Sequence, residues 1–202
     1  MHNEFIQNTE LKNLTIKELI KISGGWIEGH ITFENGEHGN GYIDNLQFLK
    51  HPKIMDEISF RMAKEFEYLK GKIDFVAGPS IIGAIIAYAV ARHLEVPFTT
   101  TYSDYKTGKL TFHRGFFPNP GMKGIFVDDC IFSGGCVIKN VDFMQSVGLK
   151  VMGVATATTR LSLKIKDVPV KSLYQVEFVK INENNCQLCL LNKPIVARNI
   201  RE

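Results

Sequence analysis

The sequence predicts an α/β chain with a central parallel sheet flanked by helices and a β hood on its N-terminal side. Three observations predict it. Two stretches, 73–94 and 123–147, each run from a short apolar strand through a glycine-bearing loop into a helix-periodic segment. Strand-like and helix-like stretches alternate through the middle of the chain, the pattern of βαβ units and so of a parallel sheet. Residues 26–44 instead alternate apolar and polar positions around Asn35-Gly36, the pattern of an antiparallel hairpin.

Each element follows from its residues. Leu11, Leu14, Ile16, Leu19, Ile20 and Ile22 share roughly one helical face, and Thr15 to Glu18 forms a capping box that restarts the helix before Gly24-Gly25 ends it. In the hairpin, Ile31 and Phe33 alternate with polar residues and Tyr42-Ile43 opens the returning strand; Trp26 is expected in the core, and His30 and His38 at the surface. Ile54, Ile58, Met62, Phe66 and Leu69 predict one helix over 53–70, closed by Gly71. Ile73 to Ala77 reads as a strand, Gly78 to Gly83 as a loop, and the residues to Leu94 as an apolar helix. A strand over 96–100 follows. Residues 101–120 lack periodicity and predict a long functional loop. Ile125 to Val127 is a buried strand that stops at Asp128-Asp129; Val137, Val141, Met144 and Val147 mark the next helix. Val151 to Ala157 is a further strand, and the weak alternation over 161–181 suits edge strands.

The totals narrow the class. The chain has 202 residues, 45% hydrophobic and 22% charged, which predicts one domain over 1–202 with a sizeable core: helix and hood over 1–50, core over 51–160, edge strands and tail over 161–202. Lysine and arginine number 24 against 21 acids, a net +3 with no basic block, so no nucleic-acid partner is expected. The longest apolar run, 81–91, is too short to span a bilayer, and the N-terminus has no export pattern. Four cysteines without a secretion signal predict a reducing cytoplasm. Cys186-x-x-Cys189 supplies half of a zinc set with no second cysteine pair close by, so zinc there stays open as the lesser reading and no metal ligand is assigned to a side chain.

The two glycine loops carry the chemistry. A strand, a glycine turn and a helix N-terminus make an anion site, because first-turn N–H groups are unpaired and the helix dipole adds positive charge. Carboxylates beside such a cradle repel a phosphate unless they bind sugar hydroxyls or Mg2+ held by a sugar phosphate. Asp128-Asp129 next to Ser133-Gly134-Gly135 therefore suits a ribose 5-phosphate.

Val127-Asp-Asp-Cys-Ile-Phe-Ser-Gly-Gly135 resembles the phosphoribosyl-pyrophosphate (PRPP) loop of type I phosphoribosyltransferases. Gly29, His30, Gly36, His38 and Tyr42-Ile-Asp44 resemble the N-terminal segment of the orotate branch. The resemblance covers about residues 20–160. It implies the type I phosphoribosyltransferase fold and transfer of ribose 5-phosphate from PRPP to a nucleobase, most closely orotate, with release of pyrophosphate. Further implications are Mg2+ entering with PRPP, a homodimer and a place in pyrimidine synthesis. By position, Asp128 and Asp129 take the ribose hydroxyls, and Cys130, Ile131, Phe132, Ser133, Gly134, Gly135 and Cys136 cradle the 5-phosphate. Gly78, Pro79, Ser80, Ile81, Ile82 and Gly83 form the pyrophosphate loop. Lys106 is the catalytic cation of a mobile loop, and Glu34, Tyr42, Ile43 and Arg160 contact the base. The sequence departs from the family at several of these positions. Phe132 replaces a threonine, Cys136 a frequent serine, Ile82 a Lys or Gly, Glu34 a basic residue of some orotate enzymes, and Lys106 aligns with the loop lysine only across a one-residue deletion. Two alternatives stay open: a transferase for another base, and a PRPP-binding regulator without turnover.

Overall fold

The computed structural model describes residues 10–79, 81–104, 106–160, 162, 164, 165 and 167–200. By contacts the chain divides into two compact units: 1–54 with 176–202, and 55–175.

The first unit begins with a 3₁₀ turn, Leu11–Asn13, and α1, Ile16–Ile22. The capping box forms as expected: the Glu18 N–H donates to Thr15 Oγ1 at 3.2 Å and the Thr15 N–H to Glu18 Oε2 at 2.7 Å. β1 (Trp26–Phe33) and β2 (Glu37–Ile43) then form the antiparallel hairpin. Gly36 turns it at φ +79, and Asn35 bonds Glu37 in both directions. The return strand starts at Glu37, so Tyr42-Ile43 ends it where the sequence reading had it begin. Trp26 is half-buried, not core. Its ring packs on Phe178 at 4.8 Å, and the Lys17 ammonium lies 4.6 Å from its centroid. After α2 (Leu46–Leu49) comes α3, Pro52–Lys64, which carries the chain into the second unit.

The second unit holds the parallel sheet. The helical pattern predicted to Leu69 breaks at Lys64, and Glu67–Leu69 is a 3₁₀ turn. Phe66 causes the break: it leaves helical geometry (φ −119, ψ 16), is fully buried, and packs on Gly153, where a Cβ would clash with its ring. The remaining elements are β3 (Phe75–Pro79), α4 (Ile82–Leu94), β4 (Phe98–Ser103), β5 (Leu110–Phe112), β6 (Lys123–Ile131), α5 (Gly135–Ser146), β7 (Lys150–Thr159) and β8 (Val170–Gln175). The sheet order is β5-β4-β3-β6-β7-β8, parallel except for β5. Phe75, Phe126, Val137, Val141, Met144 and Val154 form the core between sheet and α5.

Two expectations change here. The 101–120 stretch is not one long loop: β4 and β5 pair as a short hairpin. Its turn is organised by Asp104, whose carboxylate accepts N–H bonds from Lys106 and Thr107 at 3.0 and 2.9 Å. The Thr107 N–H first, then its hydroxyl and the Lys106 N–H, hold the Asp104 carboxyl below its ordinary range. The strand predicted to stop at Asp128 instead runs to Ile131, because β7 pairs with it through Thr156, Thr158 and Thr159.

The chain then returns to the first unit with β9 (Lys180–Asn182), a 3₁₀ turn at Glu183–Asn185, α6 (Gln187–Leu190) and β10 (Ile195–Ile200). β9 pairs antiparallel with β2 and β10 parallel with β1, so the hood is a four-stranded sheet of order β10-β1-β2-β9. Within 161–181, where edge strands were expected, β8 lies at an edge of the six-stranded sheet and β9 at an edge of the hood; β10, in the stretch read as a tail, forms the hood's other edge.

Candidate active site

β3 and β6 are neighbours, but their helices lead to opposite sides: α4 carries the chain to β4, and α5 carries it to β7. Strand order reverses between them, and such a switch point opens a crevice at the carboxyl ends of the strands. A cleft of about 310 Å³ lies there, lined from one side by Pro79, Ile82 and Gly83 and from the other by Asp128 to Gly134, Cys136 and Val137. The two sequence-predicted loops therefore meet in one cavity.

Glycine makes the approach possible. A Cβ on Gly78 would strike the Gly83 carbonyl, and one on Gly83 would strike the Pro79 ring, so β3 and the start of α4 meet only because both are glycine. Across the cleft, Gly134 takes φ +81 and starts α5 with no side-chain cap. Its first-turn amides thus point toward the cleft with the positive end of the helix dipole.

Asp128 is buried, 6% exposed. Its Oδ1 accepts the Asp129 N–H at 2.9 Å, and the Cys136 thiol donates to Oδ2 at 3.6 Å. Burial above all, then the Asp129 charge, raises its pKa well above the ordinary carboxylate range. The same environment acts on Cys136, an exposed residue: desolvation of its sulfur, then the Asp128 carboxylate, push its pKa up to about 12. A buried acid short of donors is a site for hydroxyls or a cation.

Side chains outside the sequence-predicted set hold this arrangement. Asn140, buried in α5, donates to the Cys136 carbonyl at 2.8 Å and accepts from Thr101 Oγ1 at 2.5 Å, fixing the start of α5 to β4. Thr158 and Thr159 donate to the Asp129 and Ile131 carbonyls at 3.5 and 3.3 Å, and the Arg160 N–H donates to Ile131 at 2.9 Å. The threonine run at the end of β7 was the available signal for these supports.

Not every predicted residue joins the cleft. Ser80 lies outside the described residues, and Ile81 is 80% exposed. Lys106 sits in the exposed β4–β5 turn and is not among the lining residues. The Arg160 guanidinium lies 5.3 Å from the centroid of the Phe132 ring. Glu34, Tyr42 and Ile43 belong to the hood unit, where Ile43 is buried and Tyr42 packs edge-on against Phe33. His30 and His38 are also in the hood, and they are not surface residues: they are 3% and 5% exposed.

Residues 44–192 match the phosphoribosyl transferase domain family. The protein named orotate phosphoribosyltransferase of Desulforamulus reducens is 30% identical over 190 residues, spanning 92% of this chain and 97% of its own. Its namesake in Thermotoga petrophila is 29% identical over 175 residues, 86% of this chain and 91% of its own. Among solved structures, orotate phosphoribosyltransferase from Aeropyrum pernix superposes with a TM-score of 0.69 at 18% identity, covering 81% of this chain and 94% of that one. Adenine phosphoribosyltransferase from Thermoanaerobacter pseudethanolicus gives 0.61 at 22%, covering 80% and 100%. The chain belongs to the phosphoribosyltransferase family and has its type I fold. It is an enzyme of the transferase class.

Proposed function

We propose that the enzyme transfers the 5-phosphoribosyl group of PRPP to orotate, forming orotidine 5'-monophosphate and pyrophosphate. The observation that carries this reading is the switch-point cleft, where Asp128 and Asp129 stand beside the uncapped start of α5. Relatives named orotate phosphoribosyltransferase over nearly the whole chain support orotate as the acceptor.

In this reading Asp128 and Asp129 accept hydrogen bonds from the ribose 2- and 3-hydroxyls. The backbone amides of 130–136 hold the 5-phosphate, and those of 78–83 hold the diphosphate. Burial, then the Asp129 charge, disfavours the ionised form of Asp128, and hydrogen bonds from ribose hydroxyls would favour it. Mg2+ entering with PRPP would supply positive charge in a cleft where, among the described residues, no Lys or Arg lines the wall. As the ribose–pyrophosphate bond breaks and the ring nitrogen bonds the anomeric carbon, the two carboxylates stabilise the positive charge developing on the sugar. Lys106, on the β4–β5 turn, is the proposed cation for the departing pyrophosphate. Glu34, Tyr42, Ile43 and Arg160 are the base contacts carried over from the resemblance. The same reading includes a homodimer, a cytoplasmic location and a step of pyrimidine synthesis. Among the described residues no helix is long and apolar enough to cross a membrane.

The test is pyrophosphate release from PRPP and Mg2+ with orotate beside a panel of other bases. Release with orotate is expected. Release with another base alone would overturn orotate as the acceptor, and tight PRPP binding without release for any base would overturn turnover itself.

A further inference from the structure

In the hood, two pairs of side chains far apart in sequence converge: His30 on β1 and His38 on β2 with Cys186 at the start of α6 and Cys189 within it. Their ligand-capable atoms all lie within 4.8 Å of one another. His30 Nε2 is 2.9 Å from His38 Nδ1 and 3.6 Å from each sulfur, and Cys189 Sγ is 3.2 Å from His38 Nδ1. We propose that these four residues bind a structural zinc ion, Cys2His2 and tetrahedral.

Hydrogen bonding alone does not explain the geometry. The Lys193 carbonyl lies 2.9 Å from His30 Nδ1 and can only accept, so Nδ1 carries the proton and Nε2 presents a lone pair. Three atoms approach that one lone pair, which takes a single hydrogen. A metal ion satisfies all four groups together. Zn–N bonds of about 2.0 Å and Zn–S bonds of about 2.3 Å set ligand separations of about 3.3 to 3.8 Å in a tetrahedron; the four separations given above run from 2.9 to 3.6 Å, and no pair exceeds 4.8 Å. Zinc would bind two thiolates and two neutral imidazoles, the two thiol protons leaving to solvent, so the site is electrically neutral.

The surroundings match a closed structural site. His30, His38 and Cys186 are at most 5% exposed, which leaves no open position for a substrate. Both imidazoles have outer partners that would orient them: the Lys193 carbonyl for His30, and Glu183 Oε1, 3.9 Å from His38 Nε2. The backbone is shaped for the task. β1 carries one extra residue between Glu28 and Ile31 relative to β2, with Gly29 at φ +127, and this bulge presents His30. Asn192 at φ +51 ends the α6 turn and brings Lys193 round to His30.

The inference is independent of the proposed reaction. The full-length chain, purified from zinc-containing medium under reducing conditions, should hold one zinc per chain by elemental analysis. Its Co2+-exchanged form should show the intense visible bands of tetrahedral thiolate coordination. A chelator should lower Tm, and zinc alone should restore it. Titrating the wild-type thiols with a mercurial should release the zinc as Cys186 and Cys189 react, which does not depend on a variant folding; Cys186→Ser with Cys189→Ser should remove the metal. A folded chain with neither zinc nor a cobalt spectrum would overturn the proposal. So would a mass lower by two hydrogens from a Cys186–Cys189 disulfide, or zinc retained after both cysteines are blocked.

Discussion

Asp128 is held where its charge works against the folded chain. Its carboxyl binds a proton more tightly folded than unfolded, so the contribution of this one group to stability is greatest at low pH, falls as pH rises from the ordinary carboxylate range through the raised folded value, and stays low above it. Asp128→Asn should therefore raise Tm near neutral pH by a few degrees and flatten that pH dependence. Melts over about pH 4 to 8 check it, and an unchanged or lower Tm would refute the assignment of strain to this acid. With Asp129→Asn added, PRPP binding should be abolished by calorimetry; unchanged affinity would sink the ribose-hydroxyl assignment. Cys136 gives a second readout. With the neighbouring carboxylate neutralised, its thiol should alkylate faster at fixed pH, as followed by mass spectrometry, because the Asp128 charge helps to push its pKa to about 12. The Asp-Asp pair, the glycines and the phosphate cradle were legible in sequence because their chemistry is local. Asn140 was not, and Thr158 and Thr159 showed only as a threonine run, since the partners of all three stand on other elements.

At the scale of elements, periodicity located the helices but not their ends. Phe66 satisfies the helical spacing, yet its ring finds better burial on Gly153 than a further helical turn allows, so α3 stops early. Gly153→Ala should overpack this contact and cost about 1 to 3 kcal/mol in denaturant melts; a neutral result would show that the ring can move aside. The 101–120 stretch looked structureless because a three-residue strand such as β5 is too short to show alternation. The Asp104-anchored turn places Lys106 at its tip, and Lys106→Ala should slow turnover at least about tenfold with PRPP affinity nearly intact. An unaltered rate would retire Lys106 as the pyrophosphate cation.

For the whole molecule, the alternation of strands and helices foretold the parallel sheet, because each βαβ unit is local in sequence. The hood was half legible. Its hairpin shows in the pattern around Asn35-Gly36, but strands β9 and β10 lie more than a hundred residues away, and no spacing rule links them to it. The histidines were misjudged for the same reason, since their neighbours come from the far end of the chain. Two compact units predict two levels of amide protection. Under native conditions with low denaturant, hydrogen exchange should open 26–43 and 180–200 together, separately from 75–159. Protection that collapses everywhere at once would show a single cooperative unit.

The parallel pairing of β10 with β1 also sets an order of assembly during synthesis. The six-stranded sheet has all its strands once residue 175 has left the ribosome, whereas the hood's first strand must wait for residues 195–200. On the nascent chain, the hood's first strand, though translated before the six-stranded sheet, is therefore completed after it.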